Sequence, residues 1–395
     1  MPTLQTLAVA NYRSIRSLVM PLGPLNLITG ANGSGKSNLY RALRLLAEAA
    51  QGGIVSSLAR EGGLPSTLWA GPETISRGMK KGTVPVQGGP RKEPVHLRLG
   101  FVTEDVGYAI DLGLPPPEYP PPREPSAFLQ DPEIKRECVW AAPTLRPASL
   151  LADRSGAAVR IRRADGDWDT IGRNLATFES MLSTMSDPER APELLQLREE
   201  VRSWRFYDHF RADVDAPARH TQIGTRTPVL SHDGRDLAAA LQTIREIGDR
   251  QALDAAVEDA FPGARVDVEH GGGQFTVLFS QHGLLRPLTA AELSDGTLRY
   301  LLWIAALLTP RPPSLMILNE PETSLHPDLL PALARLIDRA AKRTQIWVVS
   351  HASRMIAALK ESKNCSAITL TKELGETAIE GQGMLDAPPW KWPER

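Results

Sequence analysis

The residues Gly30-Ala31-Asn32-Gly33-Ser34-Gly35-Lys36-Ser37 fit G-x-x-x-x-G-K-S, a spacing that suits a loop wrapped around phosphate. Its glycines let successive backbone N–H groups turn inward around phosphate oxygens, and the helix N-terminus that follows favours negative charge. Lys36 is expected to reach the β and γ phosphates of a nucleoside triphosphate, and the Ser37 hydroxyl to ligate Mg²⁺, with Asn38 counted beside them. A second group lies far along the chain. The apolar run Leu315–Leu318 ends in Asn319-Glu320, which delivers a carboxylate to a strand end, where Glu320 can polarise a water as general base. The alternative is a carboxylate that caps the next helix. For Glu322, capping and function stand level.

These groups need elements to hold them. Leu25–Ile28 reads as a short strand entering the loop, and Leu39, Leu43, Leu46, Ala47 and Ala50 recur behind it at helical spacing. Residues 51–94 are rich in Gly and Pro and read as a long loop or insertion. Residues 95–112 alternate like a β-hairpin, followed by the proline-rich connector 114–125 and by strands over Lys135–Ala141 and Ala157–Arg163. The pattern is helical from Asn174 to Arg211 and from Gly234 to Phe261. Then Thr297–Leu308 reads as a helix, Leu315–Leu318 as a buried strand, Asp328–Lys342 as a helix, Ile346–Ser350 as a strand and Arg354–Lys360 as a short helix. Alternating buried strands and helices imply an α/β fold with a parallel or mixed sheet covered by helices. The division expected is 1–172 for the N-terminal part of the core, 173–285 for an inserted helical lid, and 286–395 for the C-terminal part.

Composition excludes more than it names. The formal net charge of the 395 residues is -1, so no overall basic field points to nucleic acid. Cys138 and Cys365 are far apart with no metal-ligand partners at the usual spacing, as expected of a reduced, cytoplasmic protein. The N-terminus lacks a signal-peptide pattern. The longest apolar run, Tyr300–Leu308, is about half the ~20 residues needed to span a bilayer, so no membrane partner is expected.

The segment Leu293-Ser294-Asp295-Gly296-Thr297 resembles the LSGGQ signature of ABC ATPases, with Asp for the first Gly and Thr for Gln. Alone it is also a common turn. Together with NYRSI, GANGSGKSN, LNEPETSLHPDLL and VVSHAS, it makes the chain resemble the RecF/SMC/OLD branch of ABC ATPases, specifically the compact AAA-type members without a Toprim domain. About forty residues follow His351, too few for that domain. The resemblance covers about residues 1–50 and 286–355. It implies an ABC-type P-loop NTPase head with an inserted helical and β lid, binding ATP and Mg²⁺ and dimerising head-to-tail around two ATP molecules.

Residue by residue, the resemblance implies that Ser294 and Gly296 meet the γ-phosphate held by the opposite protomer, and that His351 senses that phosphate. Ser324-Leu325-His326-Pro327 would line the dimer seam. Asn319 departs from the family's Asp: its amide can accept a hydrogen bond from a metal-bound water but lacks the charge that holds Mg²⁺, so slow hydrolysis is expected. Gln130 matches either a Q-loop glutamine near the metal or a surface turn. Arg13 matches either a basic residue near the nucleotide or a solvated strand position.

Function follows as expectation. The leading reading is a DNA-associated ATPase switch in repair or antiviral defence, with Arg202–Arg211 as a candidate DNA surface of arginines and aromatics; the same residues also fit a helix packed into the core. The alternative is a nucleotide-sensing subunit that controls a separate nuclease or toxin. A transporter subunit is disfavoured by the signature variant and the RecF-like N-terminus.

Overall fold

The computed structural model describes residues 3–87, 95–116, 126–163, 165–185, 187–383 and 386–394. Among them the strands are, in chain order, β1 (Thr6–Tyr12), β2 (Ile15–Pro21), β3 (Leu25–Gly30), β4 (Leu97–Val102), β5 (Val106–Gly113), β6 (Glu133–Ala141), β7 (Leu150–Ser155), β8 (Ala158–Arg162), β9 (Trp168–Gly172), β10 (Arg205–Tyr207), β11 (Gln222–Ile223), β12 (Arg265–Gly271), β13 (Gln274–Ser280), β14 (Leu288–Thr289), β15 (Leu315–Asn319), β16 (Gln345–Val349), β17 (Cys365–Glu373) and β18 (Glu376–Ile379). The chain divides into two compact units. The first comprises Gly23–Thr29 and Trp204–Ile368; the second comprises the residues up to Leu22, Gly30–Ser203, and Thr369 onward.

In the first unit β10, β15, β16 and β3 form a parallel sheet in that order. β15 and β16 read as unbroken apolar runs because helices cover both faces of such a sheet, so no residue alternates into water. The helix Asp295–Leu307 is apolar nearly all round, from Leu298 to Leu307, as a helix in the middle of a core must be. Around it pack the helices Leu237–Ile247, Arg250–Ala260 and Leu330–Ala341, and a small sheet in which β13 pairs with β11, β12 and β14. Tyr207, Phe210 and Trp303 meet edge-on or tilted, with ring centroids 4.8 to 6.3 Å apart.

The second unit is built on an eight-stranded antiparallel sheet in the order β2-β1-β4-β5-β6-β7-β8-β9. Its core carries an ion pair with no exposure, Arg154 to Glu137 at 3.3 Å. Burial is tolerated because Glu137 also accepts from Tyr108 Oη (2.8 Å), Ser180 Oγ (2.5 Å) and Met181 N (2.8 Å), leaving no bare charge. Burial pushes the Cys138 thiol up to about 12, so it stays protonated and unreactive. β17 and β18 close as a hairpin through Leu374 and Gly375, both at positive φ, the backbone a two-residue hairpin turn requires.

The α/β class holds, and two local expectations are corrected. Residues 51–87 are not a plain loop: they carry the helices Ile54–Arg60, Leu64–Thr67 and Arg77–Lys80. The glycines that suggested a loop are helix boundaries, Gly53 and Gly63 at N-caps, while Ile54, Leu58 and Leu64 face the core. Of the stretch Asn174–Arg211, only Pro192–Ser203 forms a long helix. Arg205–Tyr207 is instead a strand that pairs in parallel with β15, and the Tyr207 ring it carries is buried against Phe210 and Trp303. β7 and β9 had no counterpart in the sequence reading. Of the proline-rich connector, residues 117–125 lie outside the described residues, as do 88–94 of the insertion. No helix among the described residues is long and apolar enough to cross a membrane.

Candidate nucleotide-binding residues

The phosphate loop belongs to the second unit. Gly30, Gly33 and Gly35 take φ of 144°, 78° and 109°, values that side chains resist. A Cβ on Gly30 would also collide with the Leu370 carbonyl, and one on Gly35 with the Thr377 hydroxyl. The helix Lys36–Gln51 starts at Gly35 with no side-chain cap. Backbone N–H groups of Gly35, Lys36 and Ser37 have no acceptor among the described residues, so they remain available to an anion.

Lys36 Nζ folds back onto the carbonyls of Gly30 and Ala31, at 2.7 and 3.1 Å. Ser34 Oγ is buried with no hydrogen-bond partner among the described residues. Ala31, Asn32, Gly33 and Ser37 are exposed. Asn38 Nδ2 donates to Ser14 Oγ at 2.8 Å.

Arg13 and Gln130 also belong to this unit. Arg13 sits in the β1–β2 turn at φ 49°. Its guanidinium donates to Glu61 at 2.6 and 3.0 Å, and Tyr12 Oη donates to the same oxygen at 2.7 Å. Gln130 is exposed in the turn before β6.

The first unit holds the carboxylate group. Glu320 follows β15 at φ 50°, a rare conformation for a side-chain-bearing residue, and its N–H donates to Val349 O at 2.8 Å. Holding that conformation costs on the order of 1 kcal/mol, and such strain concentrates at working sites. The turn leaves the Glu320 carboxylate half-exposed, 3.7 Å from His351 Nδ1.

Glu322 is buried and positions the other partner. Its Oε1 accepts from Ser350 Oγ (2.7 Å), His351 N (2.9 Å) and Ala352 N (3.2 Å). It therefore fixes the backbone that presents His351.

Ser294 caps the helix Asp295–Leu307, accepting from Thr297 N at 3.2 Å. Gly296 lies against the carbonyl of Ser324, which is itself at φ 62°. Arg299, from the same helix, donates to Thr323 O (3.3 Å) and Phe210 O (3.0 Å). The signature-like turn and the segment after Glu322 are thus pinned together within this unit.

Several residues that matter here gave no signal in the sequence. Arg219 is buried and donates to the carbonyls of Ala212, Asp213, Ala290, Ala291 and Leu293, and to Asp295 Oδ1 at 2.7 Å. It holds the approach to Ser294. Arg219→Met leaves these acceptors without a charged donor. We expect a loss on the order of 3 kcal/mol, read as a lower urea midpoint; an unchanged midpoint would contradict this role. Asp208 comes next after β10, whose register puts Tyr207 opposite Leu318, so Asp208 stands level with Asn319 at the carboxyl ends of the strands.

The Arg202–Arg211 segment is not an aromatic surface. Trp204, Tyr207 and Phe210 are buried, and Arg211 is bound to Asp213 at 2.6 Å. Among the described residues, no group of three or more His, Cys, Asp or Glu side chains could hold a metal ion.

The model of the family described as "AAA domain, putative AbiEii toxin, Type IV TA system" matches residues 25–353. Among solved structures, the chain is similar to an Smc head bound to the C-winged helix domain of ScpA, with 14% identity, a TM-score of 0.52, and coverage of 97% of this chain and 99% of that one. It is also similar to an Smc head with an extended coiled coil bound to the C-terminal domain of ScpA from Pyrococcus furiosus (14%, TM-score 0.47, 96% of each chain). A third is the SMC head domain from Thermotoga maritima (14%, TM-score 0.42, 95% of this chain and 98% of that one). At 14% identity, the first of these likenesses speaks to the fold alone. No curated protein matches by sequence. With the family model spanning most of the chain around this phosphate loop, the protein belongs to the AAA-domain family so described, and its fold is similar to that of an Smc head.

Proposed function

We propose that this ATPase binds ATP through Gly30–Asn38, hydrolyses it slowly with Glu320 as general base, and dimerises around two ATP molecules as a switch acting on DNA in repair or antiviral defence. The observation that carries the nucleotide reading is the loop itself: three left-handed glycines, a helix start with unused N–H groups, and Lys36 beside them. Glu320 on its strained turn, with His351 Nδ1 3.7 Å from its carboxylate, supports hydrolysis with phosphate sensing. Ser294 and Gly296, at the uncrowded start of their helix, support contact with the opposite protomer's γ-phosphate. Arg13 and Gln130 enter only as candidates, since Arg13 is occupied by Glu61. The division into a core of 1–172 and 286–395 with a lid of 173–285 is part of the same proposal.

The residues also fit Mg²⁺. The Ser37 hydroxyl is exposed with no hydrogen-bond partner among the described residues, and Asn319 offers an amide for a metal-bound water. Mg²⁺, when bound, neutralises charge on the β and γ phosphates. With an amide in place of a carboxylate at Asn319, metal retention is weaker and turnover slow.

Burial of the aromatics in Arg202–Arg211 favours a second reading, in which the output passes to a separate effector protein. The solved Smc head carries a bound partner domain, which is consistent with such an arrangement. The two readings separate by size-exclusion of the ATP-bound protein with duplex DNA: co-migration supports the DNA switch, and its absence with stable co-purification of an effector supports the sensor. Cytoplasmic location is proposed with either.

A further inference from the structure

Three side chains from distant parts of the sequence form a one-way hydrogen-bond relay around the phosphate loop. Asn38 Nδ2 donates to Ser14 Oγ at 2.8 Å. Ser14 Oγ and Thr377 Oγ1 lie 2.7 Å apart, and Thr377 Oγ1 donates to the Ser34 carbonyl at 2.9 Å. A hydroxyl has one proton, so Thr377, which gives its proton to Ser34, must accept from Ser14. Ser14 in turn accepts from Asn38. The direction of the relay is fixed, and each bond polarises the next.

The two ends of the relay are Ser34 and Asn38. They bracket Gly35, Lys36 and Ser37, whose N–H groups are unused. Thr377 N also donates to Ser14 O at 2.7 Å, which locks the middle of the relay. Thr377 is 1% exposed, so water cannot replace its hydroxyl. Its oxygen occupies the space a Cβ on Gly35 would need, so the relay and the glycine fit each other.

We infer that Thr377 is a positioning residue for the phosphate loop, setting the spacing of the three N–H groups from the β17–β18 hairpin. The inference rests on the nucleotide reading above. Because its hydroxyl is fully used within the relay, Thr377 acts through the loop and does not touch the nucleotide. Valine has the same shape but neither gives Ser34 O a donor nor offers Ser14 an acceptor; serine keeps both.

The test is the dissociation constant for Mg·ATP, measured by displacement of a fluorescent ATP analogue well below the melting point, alongside the thermal midpoint of the nucleotide-free protein. Thr377→Val is expected to bind about tenfold more weakly, roughly one factor of ten per 1.4 kcal/mol. Thr377→Ser should restore binding to within about twofold, and Ser14→Ala, which breaks the relay at its centre, should weaken it by a similar factor. A lower midpoint for Thr377→Val with unchanged affinity would make Thr377 a fold element only and overturn the inference. If Thr377→Val fails to fold, Ser14→Ala decides: unchanged affinity overturns the inference, and weakened affinity upholds it. If the unsubstituted protein binds no ATP and Lys36→Ala changes nothing, the nucleotide reading itself fails, and that pattern is distinct from the others.

Discussion

Lys36→Ala is expected to reduce ATP affinity by at least about a hundredfold, the largest loss we anticipate for any single binding residue. The ammonium is buried against the loop and donates to two loop carbonyls, at 2.7 and 3.1 Å. It is thus held beside the start of the helix, where the N–H groups of Gly35, Lys36 and Ser37 are unused. A phosphate entering there gains the N–H donors and the helix dipole together, and Lys36 adds a full positive charge. Hydrogen bonds to charged groups contribute about 1.5–3 kcal/mol each, and Lys36 can offer more than one proton, so a hundredfold loss (about 2.7 kcal/mol) is a modest reading of its removal. Arginine is not expected to rescue, because its planar fork cannot occupy the space a compact ammonium fills between two carbonyls. Equilibrium binding of a fluorescent ATP analogue checks this. Affinity within about threefold of the unsubstituted protein would remove Lys36 from the site.

Glu320→Gln is expected to leave ATP binding intact and to cut hydrolysis by about 10²–10⁴-fold, the range for a lost general base. Glutamine keeps the shape of the side chain, and the φ 50° turn is held by the backbone bond from Glu320 N to Val349 O, which the substitution does not touch. The variant therefore separates chemistry from architecture. The buried Glu322 must not be confused with it. Glu322 is consumed by Ser350, His351 and Ala352, so Glu322→Gln should instead weaken the fold of that turn. Phosphate release, compared with nucleotide binding on the same samples, distinguishes the two. Hydrolysis by Glu320→Gln at more than about a tenth of the normal rate would reassign the base.

The contiguous parts of this protein were legible in its sequence. Gly30–Ser37 announced itself because phosphate binding is done by successive backbone groups, so the motif is local. Leu315–Leu318 and Ile346–Val349 were legible because strands covered on both faces are apolar throughout. Leu298–Leu307, buried all round, read as a helix for the same reason.

What stayed hidden depends on contacts between distant residues. Thr377 lies more than three hundred positions from the Ser34 carbonyl it holds, and a threonine in an alternating strand is unremarkable. Arg219 looks like a surface arginine, and only the fold shows five carbonyls converging on it. In Arg202–Arg211, basic and aromatic residues suggested a nucleic-acid surface or a helix. Tyr207 and Phe210 instead found Trp303, and burying those rings outweighed any helical preference. The glycines and prolines of 51–87 likewise marked the ends of short helices more than the absence of structure.

The most direct test of the proposed ATP-driven switch is the solution mass of the Glu320→Gln protein with and without Mg·ATP. The account predicts a doubling of mass on ATP addition, lost when Ser294, at the start of the signature-like helix, is replaced by arginine. A mass unchanged by saturating ATP would contradict dimerisation around the nucleotide and leave Ser294 and Gly296 without a role in trans.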